Sequence, residues 1–152
     1  MTAEPQADAL ASLRVIMYHK YPTSALTQFL MQDEGVCLPG SLPKLATLID
    51  SDTPRRSGTQ KVVAHPSPLL RHVAEWLAIP QDQLELDDEF CEKVDVAGGP
   101  LTIYLARFAS IDPPLDAAER VGGRFIALTE GRGLPPAELD LLRRAYSVIM
   151  ED

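Results

Sequence analysis

Residues 66–80 have the sequence Pro-Ser-Pro-Leu-Leu-Arg-His-Val-Ala-Glu-Trp-Leu-Ala-Ile-Pro, which carries the clearest structural pattern in the chain. Ser67 is a typical N-cap residue and Pro68 suits the first helical position, whereas Pro80 cannot continue a helix. The pattern therefore predicts a helix over residues 68–79. Its apolar residues recur at helical spacing and form one stripe: Leu69, Leu70, Val73, Trp76 and Leu77.

Segments rich in strand-forming residues lie on both sides of this helix, and Gly and Pro residues separate them. The first two apolar segments predict a hairpin or meander, and residues 81–89 and 111–123 are interpreted as connections. A sheet with helices packed on it, in a mixed α/β arrangement, follows from this order. The other predicted elements are strands over 14–18, 25–32 and 36–38, a short helix over 43–49, a hairpin over 90–108, a strand over 124–129 and a helix over 136–150.

The length and composition are those of one globular domain. The chain has 152 residues, of which 45% are hydrophobic and 24% charged, and a single domain of this size buries an adequate core. Residues 1–12 are small and polar and are predicted to form a flexible N-terminus. Residues 13–152 then form the domain, with a loop insertion at 50–67 where polar and helix-breaking residues cluster.

The charge and the cysteine content exclude several classes of protein. With 14 Lys and Arg against 22 Asp and Glu, the formal net charge is −8, which disfavours binding to nucleic acid or to anionic membranes. No segment has the length of a transmembrane helix or the pattern of a signal peptide. Cys37 and Cys91 are too few for a disulfide framework or a zinc site, so we expect two buried thiols and a cytoplasmic location.

Residues 71–79, Arg-His-Val-Ala-Glu-Trp-Leu-Ala-Ile, resemble the core of the Nudix box, Arg-Glu-hydrophobic-x-Glu-Glu-x-Gly-hydrophobic. Leu38-Pro39-Gly40 resembles the turn that leads into the signature loop of the Nudix family. The order of predicted elements over residues 14–150 is also similar to that of the family. The resemblance implies an α/β fold of Nudix type, an α/β/α sandwich with a mixed sheet, and a site for nucleoside diphosphate derivatives beside the 68–79 helix.

In the Nudix family, glutamates one helical turn apart bind Mg²⁺ beside a pyrophosphate, since this spacing puts carboxylates on one helix face. The residues that match the family pattern are Arg71, Val73, Glu75 as the first glutamate of the adjacent pair, and Ile79. The residues that depart from it are His72, Trp76 and Val63 in place of glutamates, and Ser57 and Ala78 in place of glycines. One carboxylate of the expected set remains.

A single carboxylate makes a poor Mg²⁺ site, because this ion gives up its water reluctantly. The resemblance therefore predicts a degenerate Nudix-fold protein that lacks classical hydrolysis and acts as a ligand-binding or interaction module. The alternative is an active Mg²⁺-dependent phosphoanhydride hydrolase with altered metal ligands, in which acidic residues of 85–92 assist Glu75. Mg²⁺ is expected as a cofactor under that alternative alone. A third interpretation makes the domain a subunit contact surface in a homodimer.

Four residues are candidates for the site. Glu75 and His72 lie on neighbouring turns of the helix and are the candidate catalytic pair, with Glu75 also the candidate metal ligand. Arg71 and Arg132 are the candidate ligand-binding residues, since Arg132 precedes a helix N-terminus that can hold an anion. The alternative interpretations are a solvated helix face for the first three and a capping loop around Arg132. The expected partner is a small nucleotide-like ligand.

Overall fold

The computed structural model describes residues 13–21, 26–32, 35–37, 47–48, 66–96, 99–131 and 133–151. Within these ranges one mixed sheet of six strands carries helices on both faces. Short 3₁₀ turns at Gln81–Gln83 and Leu128–Glu130 join some of the elements. The strands are β1 (Leu13–Lys20), β2 (Thr27–Gln32), β3 (Thr47–Leu48), β4 (Leu84–Val96), β5 (Gly99–Phe108) and β6 (Gly123–Ile126), and the helices are α1 (Pro66–Leu77), α2 (Leu115–Arg120) and α3 (Pro136–Glu151).

The strand order is β3-β4-β5-β1-β2-β6, and β1 and β5 are the parallel pair. The remaining neighbours are antiparallel. β1 lies inside the sheet, and its residues from Val15 to His19 are all buried. This explains the nearly continuous apolar sequence of β1, because a strand that is covered on both faces has no polar side.

Alternate residues of β1 face two separate apolar cores. Val15 and Met17 pack with α1 and α2 on one face, whereas Ile16 and Tyr18 pack with α3 on the other. We call these the α1 face and the α3 face. Helices therefore cover the sheet from both sides, and the predicted α/β/α sandwich with a mixed sheet is confirmed.

The helix predicted over residues 68–79 is observed at Pro66–Leu77. The predicted stripe is buried except at Trp76, which is partly exposed. The helix ends in a Schellman motif: the amide of Ile79 donates to the Ala74 carbonyl at 3.0 Å, and that of Ala78 donates to the Glu75 carbonyl at 3.1 Å. Ala78 has φ +60°, a conformation that costs an L-residue about 1–2 kcal/mol and that glycine adopts freely.

Two of the predicted elements between β2 and α1 are wrong where the structure describes them. Val36 and Cys37 form a bend instead of a strand, because Gly35 folds back to make a two-hydrogen-bond bridge with Gln32. Thr47 and Leu48 form the edge strand β3 against β4 instead of part of a helix. The helical spacing of the leucines therefore does not predict the structure at Thr47 and Leu48, whose backbone pairs with β4.

Both predicted connections contain regular structure. β4 begins at Leu84, inside the acidic segment 81–89, and its register with β5 shifts between Leu86 and Cys91 in a large bulge. The segment 111–123 contains α2, whose Ala117 and Ala118 are buried against the α1 face. The other predicted elements over 14–18, 25–32, 90–108 and 136–150 are confirmed with modest changes in their ends. The strand predicted over 124–129 ends at Ile126, and the 3₁₀ turn Leu128–Glu130 replaces its second half.

Several predictions fall on residues that the structure does not describe. These are the N-terminus 1–12, the turn at 38–40, most of the helix over 43–49, Arg132, and the loop insertion 50–67 apart from Pro66 and Ser67, whose backbone belongs to α1. Across the described ranges, none of the helices combines the length and the apolar character needed to cross a membrane.

Candidate functional site

The candidate residues of α1 lie on its solvent side. Arg71, His72 and Glu75 are all exposed, whereas Val73 and Leu77 on the opposite side of the helix are fully buried. The amphipathic pattern of α1 dictates this arrangement, since the apolar stripe must face the sheet. Three polar side chains therefore share an accessible surface, with His72 and Glu75 on neighbouring turns. Arg132 lies outside the described residues, so its predicted contribution stays a prediction.

Trp76 occupies the position of the second glutamate in the Nudix pattern, and it contributes apolar contact instead of a ligand oxygen. The side chain is partly buried and packs against the core of the α1 face. An indole has no oxygen and no lone pair on its ring nitrogen for a cation. Across the described ranges, there is no group of three or more His, Cys, Asp or Glu side chains that could hold a metal ion.

The acidic segment 85–92 is partly engaged on the other side of the sheet. Glu92 accepts a hydrogen bond from Arg144 of α3 at 2.9 Å. Glu85 accepts one from Arg107 of β5 at 2.7 Å, and this hydrogen bond raises the pKa of Arg107. Leu84 and Leu86 alternate with Glu85 and face α1, so Glu85 and Glu92 point away from Glu75.

A hydrogen bond joins α2 to the carboxyl end of α1, and an aromatic pair lies in the core of the same face. Arg120 of α2 donates to the Leu77 carbonyl at 3.3 Å, at the carboxyl end of α1. A cation suits this position because the free carbonyls of a helix C-terminus carry partial negative charge. The ring of Phe108 meets that of Phe125 edge-on, with centroids 5.7 Å apart, in the core beneath.

A buried polar cluster, which the sequence did not reveal, lies on the α3 face. Glu138 is fully buried in the first turn of α3 and accepts hydrogen bonds from the Val36 amide at 2.6 Å and the Cys37 amide at 3.2 Å. Burial raises the pKa of the Cys37 thiol well above its usual range, and the charge of Glu138 adds to this. Burial also lowers the pKa of Arg14, and the electrostatic influence of Cys37 and Glu138 acts in the opposite direction and raises it.

The spacing of α3 predicts its apolar stripe but not the burial of Glu138. Leu139, Leu142, Tyr146 and Ile149 recur at steps of 3, 4 and 3, which predicts one apolar stripe. Leu142 and Ile149 are buried, and Leu139 and Tyr146 are partly buried and pack against the same core. The buried side of the helix is wider than this stripe, because it also includes the residues that precede Leu139, Leu142 and Tyr146, and Glu138 is one of them. The buried residues of α3 are Ala137, Glu138, Leu141, Leu142, Ala145 and Ile149.

His19 is a second buried polar residue that the sequence did not single out. Its Nε2 lies 3.0 Å from the carbonyl oxygens of both Ser110 and Ile111. Because both partners are acceptors, Nε2 carries a hydrogen and donates. Nδ1 is buried and has no hydrogen-bond partner among the described residues. His19 therefore ties the end of β1 to the segment that leads into α2.

The two cysteines differ in their surroundings. Both are free thiols, with Cys37 buried and Cys91 exposed. The prediction of two buried thiols is therefore confirmed for Cys37 and wrong for Cys91. Cys91 lies opposite Tyr104 in the β4–β5 pair, at the strand position where β4 resumes regular pairing after its bulge.

Comparisons with known proteins show no family for the chain. No family model matches it, and no curated protein has a significantly similar sequence. Among solved structures, the chain is similar to the crystal structure of the C. elegans Ap4A hydrolase, with 16% sequence identity and a TM-score of 0.49. The likeness covers 89% of this chain and 94% of the hydrolase. Membership of a family does not follow from these values.

Proposed function

We propose that this chain is a degenerate Nudix-fold protein that lacks classical metal-dependent hydrolysis and acts as a ligand-binding or interaction module. Its ligand is a small nucleotide-like molecule held beside the exposed face of α1. The observation that carries the proposal is the isolation of Glu75, which keeps its position in the Nudix pattern without the carboxylate neighbours that bind Mg²⁺. His72 and Trp76 occupy two of the glutamate positions.

The local structure of α1 supports the Nudix part of this proposal. Ala78 stands where the Nudix pattern has glycine, and it adopts the left-handed conformation that favours glycine. The backbone at this position therefore suits the glycine of the pattern, although the side chain has changed. The order of strands and helices around α1 and the two covered faces of the sheet also agree with the sandwich that the resemblance implies.

The distribution of carboxylates supports the loss of metal chemistry. Mg²⁺ in proteins uses carboxylates together with substrate phosphates, and the ion then activates water and offsets the phosphate charge. Glu75 alone supplies one such group on α1, while Glu85 and Glu92 form ion pairs on the α3 face. Arg71 and His72 remain on the exposed face as groups that can bind an anionic ligand directly.

The proposal is tested by incubating the protein with Mg²⁺ or Mn²⁺ and a panel of nucleoside diphosphate derivatives. We expect saturable binding without turnover, and binding that weakens in Arg71→Gln. Glu119→Gln on α2 is a matched control, since it removes another exposed carboxylate on the α1 face of the sheet. Robust turnover that disappears in Glu75→Gln and persists in Glu119→Gln would defeat the binding-module proposal.

The alternative function is a phosphoanhydride hydrolase with altered metal ligands. The exposed position of Glu75 favours it, because a carboxylate outside any ion pair of the described residues is open to coordinate a cation. A metal soak separates the two functions: density coordinated by Glu75 and a second carboxylate supports the hydrolase.

Light scattering separates a monomeric binding module from the homodimer. A cytoplasmic location also remains part of the proposal.

A further inference from the structure

Ile111 and Leu115 expose two large apolar side chains on one short segment of the chain. Ile111 is 76% exposed and Leu115 is 57% exposed, and they are the most exposed large apolar residues in the described part of the chain. Leu26 follows at 47%. Single exposed apolar residues are ordinary on protein surfaces, whereas a contiguous group is typical of an interaction site.

The fold brings these three residues to the same end of β1. Nε2 of His19 lies 3.0 Å from the Ile111 carbonyl oxygen, and the His19 ring meets the Tyr21 ring edge-on, with centroids 4.7 Å apart. The Tyr21 amide donates to the Leu26 carbonyl at 2.9 Å. His19 alternates with Met17 along β1, so this group of contacts lies on the α1 face.

Hydrogen bonds hold the backbone that carries Ile111 and Leu115. His19 donates to the carbonyls of Ser110 and Ile111, and the Leu115 amide donates to the carbonyl of the buried Pro113 at 2.8 Å. Four chain positions separate the Cα atoms of Ile111 and Leu115 by about 14 Å at most, so one partner segment can contact both. Docking onto backbone that is already ordered costs less entropy.

Asp112 and Asp116 make the surface beside the apolar side chains acidic. Both carboxylates are exposed, and neither forms an ion pair with a described residue. The basic side chains of the neighbouring elements are directed elsewhere: Arg120 toward the Leu77 carbonyl of α1, Lys20 toward the Ile149 carbonyl of α3, and Arg124 toward the α3 face, opposite Met31. Nothing described at this surface therefore neutralises the two carboxylates.

This charge decides which kind of partner the surface suits. A second copy in a two-fold dimer would bring the same acidic group against itself, and opposed like charges cost free energy. An anionic membrane would repel the surface for the same reason. A protein segment that carries apolar side chains flanked by Lys or Arg complements both the apolar and the acidic residues.

We propose that Leu26, Ile111 and Leu115, with Asp112 and Asp116 beside them, form a docking surface for a basic amphipathic segment of a partner protein. The apolar side chains of the partner contact Ile111 and Leu115, while its Lys or Arg side chains meet the two carboxylates. This inference goes beyond the ligand proposed at α1 and does not depend on it.

The test uses the full chain and a labelled synthetic helix of about 14 residues, in which alanine and lysine surround a stripe of leucines. One control peptide has glutamate in place of lysine, and the other has serine in place of leucine. Fluorescence anisotropy gives the dissociation constants. We expect the leucine–lysine peptide to bind at least about tenfold more tightly than either control. Equal binding of either control peptide overturns the proposal.

Substitutions of exposed residues then localise the binding. Ile111→Ser combined with Leu115→Ser keeps the net charge and should weaken binding of the leucine–lysine peptide at least about tenfold. Met150→Ser is the matched control, since Met150 is 39% exposed on α3, and it should leave binding unchanged. Unchanged binding in the double variant, or an equal loss in Met150→Ser, contradicts the docking surface.

A second pair of variants separates local charge from the overall charge of −8. Asp112→Asn combined with Asp116→Asn should weaken peptide binding about three- to tenfold at low salt and less at high salt. Asp95→Asn combined with Asp140→Asn removes two other exposed carboxylates and should have a smaller effect. Equal weakening by both pairs would mean general attraction to an acidic chain and overturns the proposal.

Light scattering and vesicle sedimentation test the other occupants. We expect the oligomeric state to be the same in the parent and in the Ile111→Ser, Leu115→Ser variant. We also expect no binding to phosphatidylcholine vesicles, with or without phosphatidylserine. A dimer that this variant dissociates assigns the surface to a second copy, and vesicle binding that it abolishes assigns the surface to a membrane; either result overturns the proposal.

Discussion

Glu75 on α1 and Glu138 on α3 are both glutamates, and their helices cover opposite faces of one sheet. Glu75 is exposed and outside the ion pairs of the described residues, whereas Glu138 is fully buried and accepts two backbone hydrogen bonds. The sequence pattern singles out the first, and the tertiary structure singles out the second. A carboxylate that is open to solvent can serve a ligand, and an enclosed one serves the fold.

The same contrast extends along both helices. The polar side of α1 faces solvent, and the carboxyl end of the helix is held by Arg120. The polar groups of α3 contact other parts of the protein, since Arg144 reaches Glu92 of β4 and the Ile149 carbonyl accepts from Lys20 of β1. α1 therefore presents its polar side to solvent, whereas the polar groups of α3 connect that helix to β1, β4 and the segment after β2.

The largest effect should come from the apolar side of α1. Leu77→Ala should lower the free energy of unfolding by about 2–5 kcal/mol, because it empties a fully buried position in a packed core. Leu115→Ala on α2 is the matched control, since that leucine is 57% exposed, and it should change stability little. Urea unfolding followed by circular dichroism measures both. Equal effects of the two substitutions would contradict the burial of α1 against the sheet.

The next effect compares the two glutamates directly. Glu138→Ala should lower the free energy of unfolding by about 2–3 kcal/mol, because the amides of Val36 and Cys37 lose their acceptor while buried. Glu75→Ala should leave it within about 0.5 kcal/mol of the parent, as expected for an exposed position. Denaturant unfolding of the two variants gives the comparison. If Glu75→Ala lowered the free energy of unfolding as much as Glu138→Ala, the exposed side of α1 would contribute to stability, contrary to this comparison.

A smaller effect of opposite sign is expected at the end of α1. Ala78→Gly should raise the free energy of unfolding by about 0.5–1 kcal/mol, since glycine adopts φ +60° without the strain of a Cβ and that gain exceeds its entropy cost. Ala74→Gly, inside the same helix, should lower it by about 1–2 kcal/mol, because glycine weakens the helix and the buried methyl group of Ala74 is lost from the core. Thermal melting of both variants provides the measurement. Stabilisation at both positions, or at neither, would be inconsistent with the helix ending at Leu77.

The smallest effect concerns the ion pair that ties α3 to β4. Glu92→Gln should lower the free energy of unfolding by about 0.5 kcal/mol at most, because the Glu92 side chain is 16% exposed while Arg144 is 39% exposed and partly screened by solvent. Glu85→Gln should have less effect, since its side chain is 53% exposed and solvent screens its pair with Arg107. Chemical unfolding at low and high salt measures the pair contributions. A larger loss of stability in Glu85→Gln than in Glu92→Gln would contradict the greater contribution assigned to the pair of Glu92 with Arg144.

Local periodicity predicted the elements whose burial follows from their own sequence. α1 was predicted because its apolar stripe and its prolines agree, and β1 because its apolar run is continuous. The start of β4 does not follow from the sequence, because the acidic residues of 81–89 indicate a connection although Leu84-Glu85-Leu86-Asp87 alternates as a strand does. The apolar stripe of α3 follows from the sequence, since Leu142 and Ile149 are buried, whereas the burial of Glu138 beside it does not, because an acidic residue in a first helical turn also suits an exposed position near the helix dipole.

The amino-acid order fixed the amphipathic faces, the turn positions and the isolation of Glu75 from other glutamates on its helix, because these depend on residues within one or two helical turns. The fold fixed which carboxylate is enclosed, since Glu138 finds its amide partners about a hundred positions away in the chain. It also fixed the faces toward which Glu85 and Glu92 point, which strand pairing sets. Contacts of that range depend on how the sheet assembles, and short-range patterns carry no record of it.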